Sequence, residues 1–329
     1  MERREFITLL GGVAAWPLAA RAQQPGAVRH IALLMAYDES NREAQGWVAT
    51  LRDGLAKLGW VEEKNLHFEF RWTGADATLM EKGATELVAA QPDLIIASGS
   101  AGTGMLLART RTIPIVFANV VDPVGQGFVA SLSRPGGNAT GLVNLEPSMA
   151  GKWVELLKEV MPPLARAIVP IHPATSPYAN LYLNYFKSTA LPLGVAVITA
   201  SVEDMVAFER IAAAQEREVN TGMIPMPGSF MTAHVAEIAA ITTRYHLPTI
   251  FSNHTFPAAG GLVSYGNDAT DNYRRATALV DRILRGEKPS ELPVQFPVKF
   301  ELVINRKTAK TLGLTIPPTL LATADELID

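Results

Sequence analysis

The sequence contains no cysteine. That absence removes a disulfide framework, a thiol nucleophile and attachment of a lipid through an N-terminal Cys. Positive charge is scarce as well: 29 Lys and Arg stand against 32 Asp and Glu, for a formal net charge of −3. Such a balance gives no electrostatic footprint for nucleic acid or an anionic membrane surface. No apolar run approaches the length of a membrane span. Catalytic signatures are also missing: there is no H-E-x-x-H, no G-x-S-x-G elbow, and neither G-x-G-x-x-G nor G-x-x-x-x-G-K-[ST]. His234 and Glu237 make a single H-x-x-E, and the six histidines do not cluster at metal spacing. No catalytic set, metal site or cofactor is therefore expected.

The clearest feature that is present is N-terminal. Arg3-Arg4 and Phe6-Ile7 lead into an apolar stretch over residues 7–20, broken by Gly11-Gly12 and ending in Ala20-Arg21-Ala22 before Gln23. A basic region, an apolar region and an A-x-A site in that order predict a cleaved export signal over residues 1–22. The stretch is short of the roughly 20 residues a spanning helix needs. The twin arginine is similar to a Tat-type signal, although Glu2 stands where Ser or Thr is usual, and a Sec signal remains the alternative. A soluble periplasmic protein is expected. Its mature part carries 26 basic and 30 acidic residues and exceeds the size at which one core stops growing, so two lobes are expected.

After the signal, short β-branched runs alternate with amphipathic stretches, the pattern of parallel βαβ units. Residues 28–36 begin as a strand, and Trp47, Leu51, Leu55 and Leu58 fall on one face of the helix that follows. Residues 66–70, 94–97 and 113–117 give further strands, and Pro135-Gly136-Gly137-Asn138 a turn. The alternation restarts near residue 153 and continues through strands at 165–171, 195–200, 222–225, 248–252 and 261–265, with a helix expected over 205–219. A long helix then presents Tyr273, Ala276, Val280 and Ile283 on one face and stops at Gly286. The Pro-rich tail from Leu292 is expected to return and pack on both lobes.

Ligands of open parallel sheets bind beyond the carboxyl ends of the strands, which singles out a few loops. Ser98, Gly99 and Ser100, with Thr103, open a helix whose N–H groups and hydroxyls could hold an anion, although a capped tight turn explains the same glycines. Asn119 and Asp122 end the fourth strand, Asp122 also having the form of an N-cap before Pro123. Tyr37 ends the first. In the second half the equivalent loops contain Ser176 and Tyr178, then Ser229, then His254, mixing polar donors with aromatic rings. Tyr178, Tyr182 and Tyr185 share a helix face, and core packing is expected for at least two of them.

The segments REFITLLGG and WPLAARAQQ, IPIVFANVVDPVGQGFVASLSRPGGNATGL (113–142), GGLVSYGND (260–268) and KFELVINRKTAKTLGLTIPPTLLATADELID (299–329) resemble ABC-transporter substrate-binding proteins related to tryptophan/tyrosine-binding proteins. The resemblance implies a type I periplasmic-binding-protein fold: an α/β chain with two Rossmann-like lobes, parallel sheets and three crossovers, near residues 142–146, 265–268 and 297–301. It implies one lobe of 23–143 plus about 267–299 and another of 144–266 plus about 300–329. It also implies a pocket built from Ser98, Gly99, Ser100, Asn119 and Asp122 on one side and Ser176, Tyr178, Ser229 and His254 on the other, with Tyr37 alongside. Gly228 stands where the family often has an acid, and FSNHTF (251–256) where an Arg-containing segment is common. The implied function is capture of a small solute, an aromatic amino acid or aromatic acid, by a monomer that docks peripherally on an ABC permease served by an ATPase. A sensor module for a receptor kinase and an exported α/β hydrolase are the alternatives.

Overall fold

The computed structural model describes residues 28–144, 146–298 and 300–329. The expected export signal lies outside the described residues.

The first half alternates β1 (Arg29–Met35), α1 (Arg42–Lys57), β2 (Leu66–Trp72), α2 (Ala77–Ala89), β3 (Leu94–Ser98), α3 (Gly99–Leu107), β4 (Ile115–Val120) and β5 (Ala139–Val143). These strands form one parallel sheet in the order β2-β1-β3-β4-β5. β3 lies at its centre and is buried at every position, which is why its sequence is an unbroken apolar run rather than an alternating one. α1 is capped by the Asn41 side chain and packs Ala44, Trp47, Val48, Leu51 and Leu55 on the sheet. Leu58 falls just past the helix end and is exposed, because the chain turns there through Gly59 in a left-handed conformation.

The second half contains α4 (Met149–Val160), β6 (Arg166–Ile171), α5 (Ala179–Ala190), β7 (Ala196–Ser201), α6 (Met205–Ala213), β8 (Thr221–Met223), α7 (Ser229–Ala233), α8 (Val235–Arg244), β9 (Ile250–Phe251) and β10 (Val263–Asn267). α9 (Ala269–Leu284), β11 (Phe300–Asn305), α10 (Arg306–Thr311), α11 (Pro318–Thr323) and β12 (Glu326–Ile328) complete the chain. The strands lie as β7-β6-β8 and β12-β11-β10-β9, linked by a parallel bridge between Met223 and Thr249. β11 runs antiparallel to β10 because the returning tail enters the sheet from the other end. α6 stops at Ala213, well short of 219, since residues 216–219 are all exposed and offer no face to bury. α7 and α8 are separate helices that meet at His234, whose ring Nδ1 lies 2.8 Å from the Phe230 carbonyl.

Two lobes result, and the chain passes between them three times: between β5 and α4, between β10 and α9, and ahead of β11. The core of the first lobe draws on β1 to β5 and, from far along the sequence, on Tyr273, Ala276, Val280, Leu292 and Val294. Trp47 stacks on Tyr273 at 5.3 Å with 9° between the rings, fixing α9 against α1. The core of the second lobe is organised around Trp153, which stacks on Tyr182 and donates Nε1–H to the Tyr265 carbonyl at 2.7 Å. Tyr182 is fully buried and Tyr178 nearly so, while Tyr185 is exposed, since a partial turn carries it off the buried stripe. Among the described residues no helix is long and apolar enough to cross a membrane.

Candidate ligand-binding cleft between the lobes

The carboxyl ends of both sheets face a common cleft. On the first-lobe side, Ala36 and Tyr37 follow β1, and the first turns of α1 bring in Glu43 and Trp47, one helical repeat apart. β3 ends at Ser98, and Gly99 at φ +80° lets the chain turn at once into α3, so that Ser98, Gly99, Ser100 and Ala101 line the cleft at the positive end of that helix. The hydroxyls there are largely committed. Ser98 Oγ accepts from the Tyr273 hydroxyl at 2.8 Å, and Thr103 Oγ1 donates to the Gly99 carbonyl at 2.8 Å. Ser100 Oγ accepts from Val121 N at 3.1 Å and Gln126 Nε2 at 3.2 Å, leaving its own proton for a further acceptor. Asn119, at φ +59°, accepts on Oδ1 from Asn272 Nδ2 at 2.7 Å.

The second-lobe side comprises Thr175 and Tyr178, then Pro227, Gly228, Ser229 and Thr232, then Ser252, Asn253 and His254. Both the Tyr178 hydroxyl and Ser176 Oγ donate to the Pro227 carbonyl, at 2.8 and 2.9 Å, which holds the loop entering α7. Asn253 turns its Oδ1 back to the backbone N–H and hydroxyl of Thr255 and its Nδ2 across the cleft to Glu43. Asn267, at the crossover into α9, closes one end. The cleft and its open mouth together hold about 670 Å³ of non-atom space.

Among the described residues lining the cleft, Glu43 is the only acidic one. Burial raises its pKa, a shift opposed by His254 and by the Asn253 hydrogen bond and reinforced by Asp268. Burial also pushes the Tyr37 phenol well up, with Tyr273, Glu43 and Tyr178 adding to the shift and a hydrogen bond to Thr232 working against it. Tyr178 is raised by the same desolvation, so both phenols stay neutral and act as donors. Among the described residues, two buried donors in the lining have no partner: Trp47 Nε1 and Asn267 Nδ2. Leaving a buried donor unpaired costs about 1–3 kcal/mol, so the cleft favours an occupant that brings acceptor atoms.

Eight of the ten residues singled out in the sequence meet at this cleft: Tyr37, Ser98, Gly99, Ser100, Asn119, Tyr178, Ser229 and His254. Ser176 lies behind the wall as a support for Pro227. Asp122 is turned away. No helix follows it; at φ +38° its Oδ1 accepts from Gly125 N at 2.9 Å, closing a short turn beside Leu132 and Tyr185. Thr103 is fully buried and also faces away. Sequence reasoning missed Glu43, Trp47 and Asn267. The spacing of Glu43 and Trp47 on one helix was the available signal, but Trp47 had been absorbed into the apolar stripe. Among the described residues, no three His, Cys, Asp or Glu side chains group as metal ligands.

The chain is similar to several known proteins. A tyrosine-binding protein of Clostridioides difficile is 22% identical over 284 residues, covering 86% of this chain and 80% of the relative. The structure of a conserved domain protein from Vibrio cholerae matches with a TM-score of 0.82 and 26% identity over 92% of this chain and 99% of that one. The structure of an ABC domain in complex with L-Trp from Streptococcus pneumonia matches with a TM-score of 0.83 and 24% identity, covering 92% of this chain and 100% of that one. The fold is that of type I periplasmic binding proteins. Residues 39–328 match the model of the ABC transporter substrate binding proteins, and the chain belongs to that family.

Proposed function

We propose that this substrate-binding protein serves an ABC importer and captures an aromatic amino acid in the cleft between its lobes, an aromatic acid being the second choice. The observation that carries this reading is the pair of unpartnered buried donors, Trp47 Nε1 and Asn267 Nδ2, in a lining whose one acidic residue is Glu43. A solute with a carboxylate satisfies the donors, together with the Ser100 hydroxyl and the N–H groups opening α3. A solute with an ammonium group satisfies Glu43. The rings of Tyr37, Trp47 and Tyr178 supply the apolar surface such a solute needs. The tyrosine-binding and L-Trp-bound relatives support the same class.

In this reading Tyr37, Ser98, Gly99, Ser100, Asn119, Tyr178, Ser229 and His254 bind the solute, joined by Glu43, Trp47 and Asn267. The protein carries out no reaction: it is exported by a signal of Tat or Sec type, works as a soluble periplasmic monomer, and delivers its solute by docking on a permease driven by an ATPase. Native mass spectrometry of protein purified from periplasmic extract tests the reading. An adduct with the mass of an aromatic amino acid supports it, one with the mass of an aromatic acid replaces it by the second choice, and a sugar or polyol adduct overturns both.

A further inference from the structure

Ala75 belongs by sequence to the first lobe, in the turn between β2 and α2, yet it is buried in the core of the other lobe. It is 5% exposed, and every other buried member of its hydrophobic cluster, from Ile168 to Phe256, comes from the second lobe. The contact is answered from the opposite side, where Ala233 of α7 packs against the first-lobe core. Neither residue lines the cleft.

The turn is built to hold Ala75 out. Thr73 donates through both its backbone N–H and its hydroxyl to the Met35 carbonyl at 3.0 Å. Asp76 N returns to the Thr73 carbonyl at 2.9 Å, and the Asp76 carboxylate caps α2 through Thr78 N and Leu79 N. Between these anchors Gly74 and Ala75 both take left-handed conformations, at φ +57° and +62°. Glycine tolerates that geometry and alanine is strained by it, so the fold keeps a methyl group where its own backbone would favour none. The hydrophobic cluster that this methyl joins is otherwise built from the second lobe.

We propose that Ala75 is a positioning residue for lobe closure: its methyl forms an apolar clasp with the second lobe outside the ligand cleft and shifts the open–closed equilibrium toward the closed form. Solute affinity then depends on a residue that never touches solute, because closure precedes or accompanies tight binding and its population scales the apparent dissociation constant. A merely structural methyl would change stability and leave the lobe arrangement alone.

The test needs no solute, so its outcome is independent of what the protein carries. Because the sequence has no cysteine, one spin label can be placed on each lobe, at Lys82→Cys and Lys187→Cys, without background. Inter-lobe distances are then measured by pulsed dipolar spectroscopy in otherwise unmodified protein, in Ala75→Gly and in Ala75→Asp. Ala75→Gly relieves backbone strain and is expected to melt at the wild-type temperature or above, while loss of one buried methyl raises the ratio of open to closed distances about fourfold. Ala75→Asp, which would bury a charge, is expected to open the lobes further. A Gly variant whose distances superimpose on the wild-type distribution, or shorten, overturns the proposal whatever the Asp variant does.

Discussion

Asn253 donates through Nδ2 to both carboxylate oxygens of Glu43 at 3.3 Å, a contact that runs from one lobe to the other. At that length it is a weak tether. Its importance lies in orientation, since it holds the one acidic side chain of the lining toward the space a solute would fill.

Glu43 yields the first prediction. Its pKa is raised in the folded protein by burial, so the folded state holds the proton more tightly than the unfolded chain does. The associated stability is fully present below the ordinary carboxylate value of 4.5 and is lost as pH rises through the raised value, so at neutral pH the ionised group is a burden on the fold. Glu43→Gln is therefore expected to melt at or above the wild-type temperature at pH 7. Its affinity for an amino-acid solute is expected to fall about 10- to 100-fold, the worth of a hydrogen bond to a charged group. Calorimetric titrations across pH check the sign: wild-type affinity declines as pH falls toward the raised pKa, and the Gln variant loses that slope.

Ser100 and Tyr178 should separate two kinds of loss. Ser100 Oγ accepts from the buried Val121 N–H, so Ser100→Ala leaves a donor unpaired and is expected to cost about 1–3 kcal/mol of stability along with affinity. In Tyr178→Phe the Pro227 carbonyl still accepts from Ser176, and stability is expected to fall by no more than about 1 kcal/mol while affinity drops. Denaturant melts paired with titration calorimetry distinguish the two.

Gly228 is fixed by space. A Cβ there would lie 2.5 Å from Ser176 Oγ and 3.2 Å from the Thr175 carbonyl, so any side chain forces the 172–178 loop to move. Gly228→Ala is expected to weaken binding about tenfold and destabilise by about 1–3 kcal/mol. Adding Ser176→Ala removes the closest clash and is expected to restore part of both, measured as a double-mutant cycle.

Trp153 has no part in the cleft and serves as the contrast. Trp153→Ala is expected to cost about 3–5 kcal/mol through the emptied space beside Tyr182 and Phe186 and the lost bond to the Tyr265 carbonyl. Equilibrium unfolding measures it.

The fold was legible where burial is simple. The unbroken apolar run at β3 and the stripe along α1 follow from position in a covered sheet. Gly286 ends the long helix pattern as read, at φ +105°. The antiparallel entry of β11 was not legible, because a strand's direction depends on where the tail comes from. Loops at strand ends pointed to eight cleft residues, since sheet topology alone dictates that edge. Glu43 was hidden because it reaches the cleft from a helix's first turn rather than a strand end. Asp122 was misplaced because an Asp-Pro pair caps a helix and closes a turn with the same chemistry, and only the following residues decide which.

In the proposed function the cleft recognises both ends of an aromatic zwitterion. Isothermal titration of the purified protein with L-tryptophan, L-tyrosine, indole-3-acetate and tryptamine tests it most directly. One of the two amino acids is expected to bind at least about tenfold more tightly than either the compound lacking the ammonium group or the one lacking the carboxylate. Equal or tighter binding of indole-3-acetate, or no binding by any of the four, would contradict it.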